Sequence, residues 1–206
     1  MRIAALSRAT GAVGLVLALG CCSSSSRPQS AFDKQNVARF MPKGPDTACV
    51  FDVRSGQSGN GTYVMRVTRH HEQSLELEVA GRMQRWHVEE SAVTGGDGEF
   101  LLVAPLEPSA HWQGLEGRVE LVDTDVELST PTRTLRGCIR TREVRRKGQD
   151  VETIHTVFCP NLGPAAIDVE RKTNEGKLVT EKAVLRYCRD ITQSERREPG
   201  EERASR

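Results

Sequence analysis

Aromatic side chains and net charge are both scarce in this chain of 206 residues. Phe, Tyr and Trp together make up 4% of the residues, too few to suggest an aromatic cage or a stacking platform for nucleic-acid bases. The 29 Lys and Arg nearly balance the 28 Asp and Glu, which gives a formal charge of +1. This balance argues against a histone-like polycation and a wholly disordered acidic chain, and we expect no nucleic-acid partner.

Long apolar runs are missing as well. The run Ala12–Leu19 has eight residues and would span about 12 Å as a helix, well short of a bilayer core of about 30 Å. We therefore predict no transmembrane helix. With Arg2 and Arg8 before it and Gly20 after it, the run is typical of a secretory signal peptide.

Motifs for catalysis and metal binding are also absent from the sequence. It contains no CxxC pair and no phosphate-binding glycine loop, and the spacing in Gly56–Asn60 does not fit a GxSxG nucleophile elbow. His70 and His71 are adjacent, so on a strand their side chains point to opposite faces and cannot chelate one ion. We expect no catalytic residues, no metal and no cofactor.

The end of the apolar run carries a specific signal. Ala18-Leu19-Gly20-Cys21 resembles the lipobox of bacterial lipoproteins, with Ala18 where Leu is usual and Leu19 where a smaller residue is usual. The resemblance implies that Cys21 becomes the acylated first residue of the mature protein and attaches it to the membrane. Because Cys22 replaces the Asp that signals inner-membrane retention, the resemblance implies the cell outer membrane. The alternatives are an anchor at Cys22 and an ordinary secreted protein.

The chain is predicted to have four regions. These are a signal peptide (1–20), a lipidated flexible tether (21–31), a β-rich domain (32–188) and a charged disordered tail (189–206). The tether is rich in serine and the tail is almost free of large apolar residues, so neither buries enough apolar surface to order itself.

Short alternating runs separated by glycine-containing turns fill the domain, a pattern typical of an antiparallel meander. We predict an all-β fold, either a curved open sheet or a barrel, braced by disulfides and preceded by a short N-terminal helix within 32–40. The predicted strands are Cys49–Val53, Thr62–Arg69, Ser74–Val79, Arg82–Val88, Phe100–Ala104, Arg118–Val122, Val126–Ser129, Leu135–Arg146, Val151–Phe158, Ala166–Arg171 and Leu178–Tyr187.

The four cysteines of the domain are expected to form disulfides, because an exported protein folds in an oxidising compartment. Four cysteines allow three pairings. If Gly148-Gln149 is a two-residue hairpin turn, counting back along both strands places Cys138 opposite Cys159 at a non-hydrogen-bonded site, where Cα atoms lie about 4.5 Å apart. Cys49 then pairs with Cys188.

A basic run from Arg133 to Lys147 is the main electrostatic feature, with Glu143 as its one acid. Guanidinium groups suit phosphate and carboxylate partners, so we predict a patch for an anionic polysaccharide, lipid headgroups or an acidic envelope protein. The alternative is that acidic residues just upstream, within 116–127, neutralise the run across the sheet. The predicted patch comprises Arg140, Arg142, Arg145 and Arg146, of which the first, second and fourth share a face of a regular strand.

A proline-rich turn follows the predicted strand Val151–Phe158, the second strand of the hairpin at Gly148-Gln149. Phe158–Pro164, together with the Ala166–Val169 strand, resembles the aromatic–Pro–x–x–Gly turn of uncharacterised β-rich bacterial lipoproteins. Pro160 and Pro164 interrupt ladder pairing and Gly163 permits a tight bend, so the residues indicate a structural role.

These observations predict a non-enzymatic outer-membrane lipoprotein that binds or scaffolds a partner in the cell envelope. The alternative is a carrier whose curved sheet encloses an acyl chain or another hydrophobic ligand. A carrier needs a continuous apolar lining on its inward positions, whereas a scaffold fills its core. A third hypothesis, a hydrolase, requires His70 or His71 to meet a carboxylate in a cleft.

Overall fold

The structure is a computed structural model that describes residues 35–57 and 59–190. It is all-β and antiparallel, as predicted, and its twelve strands form one sheet. The elements are a 3₁₀ helix (Val37–Phe40) and strands β1 (Thr47–Ser55), β2 (Gly59–His71), β3 (Ser74–Val79), β4 (Arg82–Val88), β5 (Ala92–Thr94), β6 (Phe100–Val103), β7 (His111–Gln113), β8 (Gly117–Ser129), β9 (Thr134–Lys147), β10 (Asp150–Cys159), β11 (Gly163–Lys172) and β12 (Leu178–Asp190).

The sheet consists of two meanders, β1–β6 and β7–β12, joined through the pairing of β1 with β12. It curls into a nearly closed barrel in which the edge strands β6 and β7 approach each other. At this seam the indole Nε1 of Trp112 donates a hydrogen bond of 3.1 Å to the carbonyl oxygen of Phe100. Among the described residues no helix is long and apolar enough to cross a membrane.

The apolar core fills the barrel from one end to about its middle. Phe51, Leu75, Leu77, Leu121 and Leu185 are each 2% exposed or less and come from strands around the whole sheet. Because side chains alternate across a strand, their neighbours in sequence point outward. Other core residues include Met65, Val67, Val93, Leu102, Ile139 and Phe158.

Of the N-terminal helix predicted within 32–40, the described residues form only the 3₁₀ helix. Val37 and Phe40 are buried, and the backbone N–H of Val37 donates to the carbonyl of Glu90 at 2.8 Å. On the other side, the N–H of Asn161 donates to the carbonyl of Arg39 at 2.8 Å. The helix is therefore tied both to the segment before β5 and to the proline-rich turn after β10.

Gly163 permits the close approach between that turn and the N-terminal segment. Its φ is 80°, and a Cβ at this position would lie 3.3 Å from Cδ of Pro42. A side chain here would be strained by the backbone and crowded by the proline. The turn thus has the structural role that its residues predict.

Two differences from the predicted strands have local causes. The two strands predicted within 118–129 form one continuous strand, β8, because the Asp123–Asp125 segment is a bulged part of the ladder and not a turn. There the Oδ1 of Asp123 accepts from the N–H of Asp125 at 3.1 Å. Strands β5 and β7 are absent from the predicted set, since each has only three residues, too few to establish an alternating pattern in the sequence.

Both disulfides of the structure follow the pairing that the hairpin register predicts. Lys147 pairs with Asp150, and the ladder continues in register to Ile139 opposite Phe158. The next positions hold Cys138 and Cys159, bonded with a Cα–Cα distance of 4.2 Å. Cys49 and Cys188 are bonded with a Cα–Cα distance of 4.0 Å and link β1 to β12. The barrel is therefore braced where the two meanders meet.

The signal peptide, the tether and most of the charged tail were predicted for residues outside the described ranges, and so was acylation at Cys21. At the C-terminal end β12 continues to Asp190, which pairs with Thr47. The last strand thus runs two residues beyond the predicted end of the domain.

Removing either disulfide should destabilise the barrel, and by different amounts. In the chain-entropy description, closing 139 residues between Cys49 and Cys188 contributes about 5 kcal/mol, and closing 21 residues between Cys138 and Cys159 about 3 kcal/mol. We expect the Cys49→Ala/Cys188→Ala variant to lose more unfolding free energy in urea than the Cys138→Ala/Cys159→Ala variant. The reverse order would show that native packing, and not chain closure, decides the contribution.

Trp112→Phe should loosen the seam specifically. The change removes the donor to Phe100 but keeps an aromatic ring, and one such bond contributes about 1 kcal/mol. We expect faster hydrogen exchange of the backbone amides in β6 and β7. The matched control is Trp86→Phe, since Trp86 is similarly buried but its indole makes no hydrogen bond to a described residue. Equal acceleration in both variants would contradict this function of Trp112.

Candidate functional site

The alternation of β9 divides the predicted patch between the two faces of the sheet. Arg140, Arg142 and Arg146 lie on the outer face, because they are separated by two and four residues on a ladder without bulges against β10. Arg145 lies on the inner face, opposite Glu152, and only 21% of its side chain is exposed. The four arginines therefore do not form one surface, and Arg145 is excluded from the outer patch.

Acidic residues of β8 and the turn before it neutralise much of the basic run, as the alternative prediction stated. Arg142 is paired with Glu120 at 2.6 Å. Arg140 faces Asp123 in the register, but neither residue has an ion pair within the described part of the chain. Further pairs join Arg136 to Glu127 at 3.0 Å and Lys147 to Glu116 at 3.2 Å.

A cluster of charged side chains lines the inner face near the β9–β10 turn. At its centre the Glu152 side chain is 7% exposed and accepts from Nη2 and Nε of Arg171 at 2.8 and 3.2 Å. Lys147 lies 3.8 Å from the same carboxylate, and Arg145 is paired with Glu143 at 2.7 Å. We call Glu143, Arg145, Lys147, Glu152 and Arg171 the inner charge cluster.

Ionisation of Glu152 is favoured by these neighbours. The hydrogen bond from Arg171 holds the pKa of the Glu152 carboxyl below its usual value, and the charges of Lys147, Arg171 and Arg145 act in the same direction against desolvation. A buried carboxylate is tolerated only when it is paired in this way. The cluster is therefore a structural feature that lines this end of the barrel with ion-paired side chains.

The inner face is consequently not a continuous apolar lining. Along β9 the inward positions change from Ile139 to Thr141 and then to Glu143 and Arg145. On β10, Ile154 lies opposite Glu143 and is only partly buried. The next inward position of β10 is the charged Glu152, opposite Arg145. The interior has a packed apolar half and an ion-paired half.

A second surface lies on the outside of the same strands. Arg146, Val151, Lys172 and Leu178 are consecutive partners across β9, β10, β11 and β12, and therefore form a row on one face. Val144 is two residues from Arg146 on the same face and pairs with Arg118 of β8. We call these six exposed residues the cation–apolar strip: Arg118, Val144, Arg146, Val151, Lys172 and Leu178.

The strip combines unpaired cations with exposed hydrocarbon. Val144, Val151 and Leu178 are 39%, 36% and 61% exposed. Arg118, Arg146 and Lys172 make no ion pair with any described residue. Beside Arg118 opens a surface groove of about 410 Å³, lined by Ser109, His111, Arg118, Glu120, Arg142 and Val144.

Of the strip, the sequence prediction contained only Arg146. Arg118, Lys172 and Leu178 were missed because they are distant in sequence and meet only through the pairing of β8–β12. The one signal in the sequence was the alternation of side chains along the basic run. It places Val144 and Arg146 on the same face as Arg142 and places Arg145 on the opposite face.

The histidines are not brought together as a metal or catalytic site. His70 pairs with Leu75 and His71 with Ser74, so the two lie on opposite faces. His71, Ser74 and His87 border one shallow groove, but no side-chain hydrogen bond joins Ser74 to either histidine in the described ranges. Within those ranges no three His, Cys, Asp or Glu side chains are grouped for a metal ion.

Comparison with known proteins gives only distant structural likeness. No known protein family and no curated protein matches the sequence. A protein from Bacteroides fragilis described as exported, with a YmcC-like fold, is similar at 12% identity and a TM-score of 0.49, over 73% of this chain and 99% of that one. A protein from Parabacteroides distasonis described as a lipoprotein is similar at 11% identity and a TM-score of 0.44, over 73% and 98%. Likeness at this level does not define a shared function.

Replacing Glu152 tests the inner charge cluster. Glu152→Gln leaves Arg171 and Lys147 without their shared carboxylate, so we expect the unfolding free energy at pH 7 to fall by about 1–2 kcal/mol. Because the folded pKa is below the unfolded value of about 4.3, the contribution of Glu152 is complete above the unfolded value and is lost as pH falls through the folded one. The difference between the proteins should therefore shrink in acid.

The measurement is urea unfolding between pH 2 and pH 7. Glu170→Gln is the matched control, since Glu170 is exposed on the next strand and has no ion pair in the described part of the chain. A pH-independent loss in Glu152→Gln, or an equal loss in the control, would contradict the assignment.

Proposed function

We propose that this protein is a lipid-anchored outer-membrane lipoprotein that acts as a non-enzymatic binding or scaffolding module of the cell envelope. The lipobox-like segment that ends at Cys21 supports the anchor. The two disulfides support an exported protein, because such bonds persist in oxidising compartments. Acyl chains on Cys21 would hold the protein to the membrane, with the barrel attached through residues 22–34.

The occupied interior is the observation that carries the binding proposal. Large apolar side chains fill one half of the barrel, and the inner charge cluster lines the other. An acyl chain would have to displace packed core or lie against ionised groups, and both are costly. The observation therefore favours a scaffold over a carrier of hydrophobic ligands and directs recognition to the outer face.

Recognition rather than catalysis is also favoured by the arrangement of reactive side chains. The four cysteines of the domain are bonded in pairs and cannot serve as nucleophiles. A serine nucleophile requires a base within hydrogen-bond reach, and Ser74 has no such bond to His71 or His87 in the described ranges. The partner we propose is an anionic component of the envelope, which matches the exposed cations of the outer face.

The anchor is tested by the intact mass of the protein extracted from native membranes. We expect a chain that begins at Cys21 and carries acyl chains. Alkylation before reduction should label only Cys22, and reduction should expose four further thiols, because four cysteines are in disulfides. The Cys21→Ser variant is the control and should lack the acyl mass.

A mass that begins elsewhere and carries no lipid would overturn the lipoprotein proposal. The protein would then be a secreted domain without an anchor.

A further inference from the structure

We propose that the cation–apolar strip docks the barrel sideways onto the anionic headgroup layer of the membrane. The inference deepens the proposed function, on which it rests for the presence of a membrane next to the protein. It assigns one occupant, a lipid surface, to one face of the barrel.

Charge complementarity is the first argument. Arg118, Arg146 and Lys172 are exposed and have no ion-pair partner in the part of the chain that the structure describes. Nearby acids are mostly engaged: Glu116 with Lys147 at 3.2 Å and Glu120 with Arg142 at 2.6 Å. Asp150 Oδ1 accepts from the N–H of Asn174 at 3.0 Å. Glu170, two residues from Lys172, and Glu175, in the turn between Lys172 and Leu178, make no ion pair with a described residue, so the three cations of the strip outnumber the unpaired acids beside it.

Exposed hydrocarbon decides between a lipid surface and a polysaccharide. Val144 and Val151 lie beside Arg146, and Leu178, at 61% exposure, ends the row beyond Lys172. A membrane interface accepts cations at the headgroups and short apolar side chains just below them. An anionic polysaccharide offers the charge but little hydrocarbon, so it would leave these three side chains in water.

The geometry of the strip suits a planar partner. The row from Arg146 to Leu178 crosses four neighbouring strands and is about 14 Å wide at roughly 4.8 Å per strand. The groove beside Arg118 adjoins the strip and is large enough for a headgroup. The strip therefore presents a broad surface rather than a deep pocket.

The length of chain between Cys21 and the barrel permits this orientation. The described chain begins at Gln35, near the barrel end where Arg39 contacts Asn161, whereas the strip lies at the other end of β10. Ten residues of β10 span about 33 Å, and the fourteen steps from Cys21 to Gln35 can reach about 48 Å when extended. An anchor at Cys21 can thus coexist with the barrel lying along the membrane.

The test uses the secreted chain without lipid, residues 21–206 with Cys21→Ser and Cys22→Ser, exported behind a cleavable signal so that both disulfides form. All twelve strands lie within this chain. Binding is measured by cosedimentation with phosphatidylcholine vesicles, either pure or containing 30% phosphatidylglycerol. We expect binding only to the anionic vesicles, and loss of binding in 0.5 M NaCl, because salt screens exposed charges.

Charge reversal locates the docking surface. Arg118→Glu/Arg146→Glu/Lys172→Glu should weaken binding at least about 100-fold, since each cation near an anionic surface contributes roughly fivefold. The matched control, Lys43→Glu/Arg82→Glu/Arg133→Glu, changes the net charge equally at exposed residues outside the strip and should retain most of the affinity. Val151→Ser/Leu178→Ser should also weaken binding, although it changes no charge.

Correct folding of each variant is checked by its disulfide mass and circular dichroism. If charge reversal prevents folding, the neutral set Arg118→Gln/Arg146→Gln/Lys172→Gln should give a smaller loss in the same direction. The inference is overturned if the parent chain does not bind anionic vesicles or if both charge-reversed sets lose equal affinity. Strip-dependent binding to dextran sulfate without binding to vesicles would also overturn it, in favour of a polysaccharide. Because this chain carries no lipid, these outcomes are separate from failure of the anchor proposal.

Discussion

The two-residue turn Gly148-Gln149 sets the register of β9 against β10, and the side of the sheet on which each basic residue lies follows from that register. Gly148 takes the left-handed conformation that such a turn requires, with φ of 66°. Cys138 then meets Cys159, Arg145 faces Glu152 inside the barrel, and Arg146 faces outward. A shift of one residue would exchange the two faces, bury unpaired arginine and separate the cysteines. Core packing, ion pairing and the disulfide therefore all select the same register.

The two halves of the barrel interior are stabilised by different interactions. Where the barrel is filled by residues such as Phe51 and Leu185, burial of apolar surface supplies the stabilisation. Near the β9–β10 turn, Glu152 is buried but is bonded to Arg171, so its desolvation is compensated locally. The apolar half is packed, and the half near the β9–β10 turn carries charged side chains, so no continuous apolar lining runs along the described inner faces of β9 and β10. Under the proposed function, contact with a partner falls to the outer face, where Arg146 and Leu178 are exposed.

Rigidity of the sheet gives that outer face a defined shape. The Cys49–Cys188 bond joins the two meanders, and the 3₁₀ helix is tied to both sides of the barrel end. The sheet is not continuous at the seam between its edge strands β6 and β7, where the indole of Trp112 donates a hydrogen bond to the carbonyl of Phe100. The strip lies on β8–β12, within the continuous ladder, so little conformational entropy is lost when it meets a flat partner. A preorganised face suits docking rather than enclosure.

Local sequence determined the strand-rich character of the chain, most strand positions and the hairpin register, because side-chain alternation and turn chemistry act over a few residues. The disulfide pairing follows from that register. The sequence did not reveal β5 and β7, which have three residues each and form strands only because a neighbouring ladder pairs them. Tertiary structure alone decided that Glu120 pairs with Arg142 and that Lys172 and Leu178 complete a row with Arg146. Which charges remain unpaired depends on distances between residues far apart in sequence, and only the curled sheet fixes those distances.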